Sequence, residues 1–183
     1  MSRISDLVKA YGEFISLPWQ DGMAAYQRVI MCVYDEDDEL KLRAVKAEFT
    51  LATTHAGHDW VEYDVTDLFS KWMMSNASVE KCFERPELFN SIIHTFKNYL
   101  INDFKKFIDN KTPEKNYVVA LTGTGSLFGF IKVKSLVEGI ANMVTGRLVV
   151  FFPGSYENNN YRLLDAYDGW NYLAVPITAD SKK

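Results

Sequence analysis

No stretch of this sequence approaches the ~20 consecutive apolar residues that a membrane-spanning helix needs. Met1-Ser2-Arg3-Ile4-Ser5-Asp6 carries an early acid and no apolar segment, so a secretory signal peptide is not expected. Cysteine is scarce. Cys32 falls inside a predicted buried strand and Cys82 in a predicted loop, and two thiols give no disulfide framework. Reduced thiols in a cytoplasm are the natural expectation. His55-Ala56-Gly57-His58, with Asp59 adjacent, is a loose histidine pair, whereas zinc needs three or four ligands. The simpler reading places His55 at the negative end of a helix dipole, and no metal or cofactor is expected. An excess of positive charge is also missing: 20 Lys and Arg stand against 24 Asp and Glu, a net charge of -4. Duplex binding draws most of its affinity from Lys and Arg on phosphates, so direct DNA binding by this chain alone is not expected. The short basic runs Lys105-Lys106 and Lys132 with Lys134 read as solvated faces.

What is present suits a folded core. At 183 residues, 48% hydrophobic and 14% aromatic, the chain can offset its ordering entropy within one domain, 1–183, with a flexible tail at 179–183. Ile4, Leu7, Val8, Tyr11 and Ile15 recur at helical steps and predict a first helix over 2–15, broken at Pro18. Arg28 to Tyr34 reads as a buried strand, followed by acids that cap a helix ending near Ala56 and Gly57. Trp60 to Val65 gives a second strand, and a short helix reaches Trp72. From Pro86, apolar residues keep a helical period to Ile108 and predict one helix of about 35 Å. Tyr117 to Leu121 is a third strand. Ser135-Leu136-Val137-Glu138 has the form of a capping box and predicts a helix over 136–144.

The chain then runs into Leu148-Val149-Val150-Phe151-Phe152, a buried strand, with Pro153-Gly154 predicted to turn it. A last short strand covers 173–177. Strands and helices alternate, so the expected fold is an α/β three-layer sandwich with a mostly parallel sheet and helices on both faces. It would be Rossmann-like, or a degenerate form of a P-loop-like fold. The strand order is not legible.

Gly123-Thr124-Gly125-Ser126-Leu127-Phe128-Gly129 follows a buried strand, where a phosphate loop belongs. The G-x-x-x-x-G-K-[ST] pattern is absent, because Phe130 and Ile131 follow Gly129 and the nearest lysine is Lys132. The dinucleotide fingerprint fails at Phe128. Gly123, Gly125, Ser126 and Gly129 therefore stand as a vestigial nucleotide loop at most. G-x-S-x-G is not satisfied around Ser126 either, which reads as a turn residue. Asp35-x-Asp37 is similar to the paired aspartates of haloacid-dehalogenase-type phosphatases, although acids opening a helix are ordinary caps. No catalytic residue is assigned. The alternative kept open is a nucleotide-binding or Mg-dependent phosphoryl-transfer enzyme using Gly123–Gly129 or Asp35 and Asp37.

The final segment is the strongest candidate surface. Tyr156, Tyr161, Tyr167, Trp170 and Tyr172 sit among Asn158, Asn159, Asn160, Arg162, Asp165, Asp168 and Asn171. Tyr, Trp and Arg dominate interface hot spots, so Tyr156, Asn158, Asn160, Arg162, Trp170 and Tyr172 are partner-binding candidates. The competing reading roofs the sheet with the aromatics and uses the asparagines in turns.

The ending FFPGSYENNNYRLLDAYDGWNYLAVPI resembles the C-terminal signature of the BrxB family of bacteriophage-exclusion (BREX) defence systems. Leu17-Pro18-Trp19-Gln20 with Arg28-Val29, and Gly123 to Gly129, resemble its opening and its internal loop. The resemblance implies a small cytoplasmic component of a phage-resistance island that also encodes a methyltransferase, a large ATPase and a PglZ-type protein. It further implies a non-enzymatic adaptor or scaffold that binds other BREX proteins, PglZ foremost. The oligomeric state is left open.

Overall fold

The computed structural model describes residues 2–75, 79–111, 116–164, 166–170 and 173–179, with the side chain of Trp170 outside that description. The expected tail over 179–183 falls outside it too, apart from Ala179. Ser2 accepts the Ser5 N–H and caps α1, Arg3–Ile15, whose buried stripe is Ile4, Leu7, Tyr11 and Ile15. β1 is Val29–Tyr34, buried throughout, and α2 is Glu39–His55. β2, Asp59–Asp64, leads to α3, Leu68–Ser75, and α4, Val79–Glu84, which buries Cys82 rather than leaving it in a loop. The helix expected from Pro86 is divided into a 3-10 turn, a short α5, Phe89–Ile92, and α6, His94–Asn110. The division falls at the β-branched pair Ile92-Ile93, which is stiff at χ1 and a weak helix former. β3 is Tyr117–Thr122 and α7 is Val133–Ile140. The four remaining strands are β4, Arg147–Glu157, β5, Asn160–Leu163, β6, Ala166–Trp170, and β7, Val175–Ile177.

The fold is α/β with a mixed sheet. Its path runs β2-β3-β4-β1-β7, with every neighbour on that path parallel. β5 and β6 then extend β4 as an antiparallel meander, which the sequence reading did not anticipate. Pleating sorts each central strand between two cores. Val29, Met31, Val33, Val119, Leu121, Val150 and Phe152 face α3, α6 and α7, while Ile30, Cys32, Val118, Ala120, Val149 and Phe151 face α1 and α2. On the second face, Phe49 meets Phe151 edge-on and tilts against Tyr11, whose hydroxyl shares a 2.6 Å hydrogen bond with Thr53.

Pro153-Gly154 does not turn the chain. β4 continues through both residues and changes partners there, from Tyr34 opposite Pro153 to Leu163 opposite Gly154. Proline lacks a ladder donor and glycine accepts the unusual φ of 153°, so the pair suits a strand leaving one sheet for another. The true turn is Asn158-Asn159, both at positive φ, as two-residue hairpin loops require.

Candidate functional site

The carboxyl ends of β1, β2, β3 and β4 meet in adjoining pockets that share Glu39, Arg43 and Gly123. Open α/β sheets keep ligand crevices at such ends. Glu36 and Glu39 of the acidic run after β1 and the glycine loop after β3 converge here, while Asp35 lines a separate pocket with Arg3 and Asp38. α2 adds two cations that the sequence did not connect with the loop, and both have carboxylate partners. Arg43 Nε donates to Glu39 at 2.7 Å, and the Tyr34 hydroxyl donates to the same carboxylate. That bond to Glu39 holds the Arg43 guanidinium above its ordinary range. Lys46 Nζ and the Thr122 hydroxyl both donate to Glu62. Burial pushes the Asp64 carboxyl up, but hydrogen bonds from the Thr66 hydroxyl and N–H, with Lys46 and Arg43 nearby, outweigh it and hold Asp64 below the usual carboxylate range. The Glu39–Arg43 spacing is legible as an i,i+4 pair; Lys46–Glu62 is not.

The glycine loop spends both of its hydroxyls and part of its amides on its own chain. Ser126, Phe128 and Phe130 donate their amides to the carbonyls of Gly123, Gly125 and Leu127, and Ile131 also donates to Leu127. The Thr124 hydroxyl donates to the Phe151 carbonyl at 2.5 Å, and the Ser126 hydroxyl lies 2.8 Å from the Gly123 carbonyl and 3.2 Å from that of Val65. Gly123 has φ 74°, and a Cβ there would lie 2.2 Å from Thr66 Oγ1 and 2.8 Å from the Thr66 amide nitrogen. The missing side chain of Gly123 thus makes room for the β2–α3 connection. A phosphate cradle instead aims successive amides outward. Asp35 is also engaged locally: one oxygen accepts the Asp37 N–H and the other pairs with Arg3 at 3.0 Å. His58 stacks on Trp19 and hydrogen-bonds Asn116, and among the described residues no group of three or more His, Cys, Asp or Glu could hold a metal ion.

The C-terminal candidates divide. Tyr161 is core, 2% exposed and packed on Phe152 and Tyr156. Tyr156 is half-buried and its hydroxyl donates to Asn159; Asn160 donates to the Asn158 carbonyl, so the asparagines shape the hairpin. Arg162 is exposed on β5. Tyr172, Asp165 and Asn171, along with the Trp170 side chain, lie outside the described residues.

Asp168, buried at 3% exposure, is the structural anchor of the meander. Its two oxygens accept the amides of Val133 at 2.7 Å and Lys134 at 2.9 Å, capping α7 from 34 and 35 residues away. This corrects the expected capping box: α7 begins at Val133, three residues before the predicted start, because its cap comes from β6. Asp168→Ala leaves two amides without that acceptor, and a loss of about 2 kcal/mol is expected from chemical denaturation. Asp168→Asn keeps one acceptor oxygen and should lose about half as much. Beside this anchor, Phe128, Phe130, Lys132 and Tyr167 line a further cleft. Phe128 is 43% and Tyr167 49% exposed, and Lys132 Nζ lies 5.3 Å from the Tyr167 ring centroid. Phe130 stacks on Phe69 and joins the cleft to the core.

The model of one protein family, described as BREX protein BrxB, matches residues 62–177. No curated protein and no solved structure matches the chain. The matched stretch begins in β2 and ends with β7, taking in the glycine loop, α7 and the whole meander.

Proposed function

Because the chain belongs to the BREX protein BrxB family, we propose that it is a non-enzymatic adaptor or scaffold in phage defence, binding other BREX proteins and PglZ foremost. The observation that carries the reading is the inward use of the glycine loop. Its two hydroxyls and the amides of Ser126 and Phe128 donate to carbonyls of the chain, and the two cations of the crevice already have carboxylates. We read the parallel strands as a degenerate Rossmann-like or P-loop-like sheet within one cytoplasmic domain, retaining the crevice without the phosphate chemistry.

Docking falls to the exposed aromatics. Phe128 and Tyr167 present large rigid area beside the cation of Lys132, the composition that dominates interface hot spots. The C-terminal candidates Tyr156, Asn158, Asn160, Arg162, Trp170 and Tyr172 are proposed as further partner-binding residues. Co-purification with the PglZ-type protein of the same island tests this. Phe128→Ser with Tyr167→Ser, and separately Arg162→Glu with Trp170→Ala, should each weaken capture at least about tenfold. The melting temperature should be unchanged, and Leu40→Ser, an exposed site on α2, should bind as the wild type does. A folded wild-type chain that captures no BREX component sinks the adaptor reading.

The second reading, a nucleotide-binding or Mg-dependent phosphoryl-transfer enzyme, draws on one observation: Arg43 lines the same pocket as Gly123, Gly125 and Ser126.

A further inference from the structure

The opposite end of the strands holds two arginines with no carboxylate partner among the described residues. Arg28 and Arg147 stand one residue before the Val29–Leu148 pair, side by side at the amino ends of β1 and β4. Arg147 is 8% exposed. Its guanidinium carbon lies 5.0 Å from the centroid of the Trp19 ring, and its Nη1 donates to the Met23 sulfur at 3.1 Å. Arg28 Nη1 reaches the Thr145 carbonyl at 3.4 Å, while its Nε is buried with no acceptor. None of the ion pairs among the described residues involves either side chain.

This arrangement runs against ordinary burial. A guanidinium carries five N–H donors and no acceptor, and burying one without an anion is costly. A second arginine beside it adds like-charge repulsion, and burial together with Arg28 holds the Arg147 guanidinium below its ordinary range. A thioether is a weak acceptor and a tryptophan face offers no lone pair in the plane of the fork. Trp19 is itself fixed, stacked on His58 with ring centroids 3.8 Å apart. A guanidinium over an aromatic ring, with only a thioether accepting from it, keeps donors for a ligand whose two oxygens match the fork.

We propose that Arg28 and Arg147 form a binding site for an oxyanion, a carboxylate or phosphate group, at the amino ends of β1 and β4. The site lies at the other end of the strands from the crevice; its free-anion form does not depend on the adaptor reading, and only the capture arm below rests on it. It also gives the Leu17-Pro18-Trp19-Gln20 segment a role, since Trp19 is the plate on which Arg147 rests.

Thermal unfolding in sodium phosphate and in sodium acetate, each against sodium chloride at matched ionic strength, tests the site. A second arm measures capture of the PglZ-type protein. The variants are Arg147→Met and Arg28→Gln, so that one remains informative if the other misfolds. Free oxyanion should raise the wild-type melting temperature by about 3–6 °C at ten times its dissociation constant. Both variants should lose that gain. Arg147→Met in chloride should melt at or above the wild type, because a buried cation without an anionic partner is replaced by an apolar side chain of similar length. A merely structural arginine would instead lower the melting temperature when removed. If free anions leave the wild type flat and both variants weaken capture at least tenfold, the oxyanion is a carboxylate of the partner protein. If neither arm responds, or the gain in phosphate survives in both variants, the proposal is overturned.

Discussion

Gly154→Ala is expected to cost about 4 kcal/mol and to lower the melting temperature by about 8–16 °C. A Cβ at this position would lie 1.9 Å from the Arg162 carbonyl oxygen and 3.0 Å from the Leu164 amide nitrogen. Both contacts are backbone, so no rotamer change relieves them. The φ of 153° adds strain for any residue with a side chain. Relief requires β5 to move away from β4, exactly where β4 leaves the parallel sheet, and that movement pulls on the meander carrying Tyr167 and Asp168. Two readouts are therefore expected to fall together, thermal stability and capture of a BREX partner. A Gly154→Ala protein melting within 2 °C of the wild type would show that the β4–β5 pairing is not as close as described.

The second large effect is Gly123→Ala, with an expected loss of about 3 kcal/mol and a melting temperature about 6–12 °C lower. The left-handed φ contributes about 1–2 kcal/mol, and collision with Thr66 and Asp64 contributes the rest. Gly129 is the internal comparison. It has φ 80° but nothing within 4 Å of a built Cβ, so Gly129→Ala should lose only about 1 kcal/mol. Equal losses at the two positions would mean that close packing on β2 contributes nothing. The contrast matters for function, since a glycine reserved for a phosphate would face the ligand, whereas Gly123 faces its own chain.

Much of this fold can be read from the residues. The apolar runs of β1, β3 and β4 are buried on both faces because helices cover both, and the stripe of α1 needs only its 3.6-residue period. The meander is harder to see. Tyr161, Arg162 and Leu163 alternate in, out and in, but the strand has only four residues and follows an asparagine run that reads as loop. Pro153-Gly154 misleads in the same way, since its turn chemistry serves a change of sheet. The start of α7 could not be found locally, because its cap is Asp168, far along the chain. The crevice shows the same division: its glycines and acids announce themselves, while Arg43, Lys46 and Glu62 gather only once α2 packs across the strand ends. Lone arginines at 28 and 147 carry no signal until parallel pairing sets them side by side.

Titration calorimetry of the purified chain with Mg·ATP and Mg·GTP, followed by an assay for released phosphate, tests the central claim most directly. With both loop hydroxyls and the Ser126 and Phe128 amides bonded internally, no saturable heat and no turnover are expected. Tight stoichiometric binding with hydrolysis, lost in Arg43→Ala, would contradict the account and return the crevice to phosphoryl-transfer chemistry.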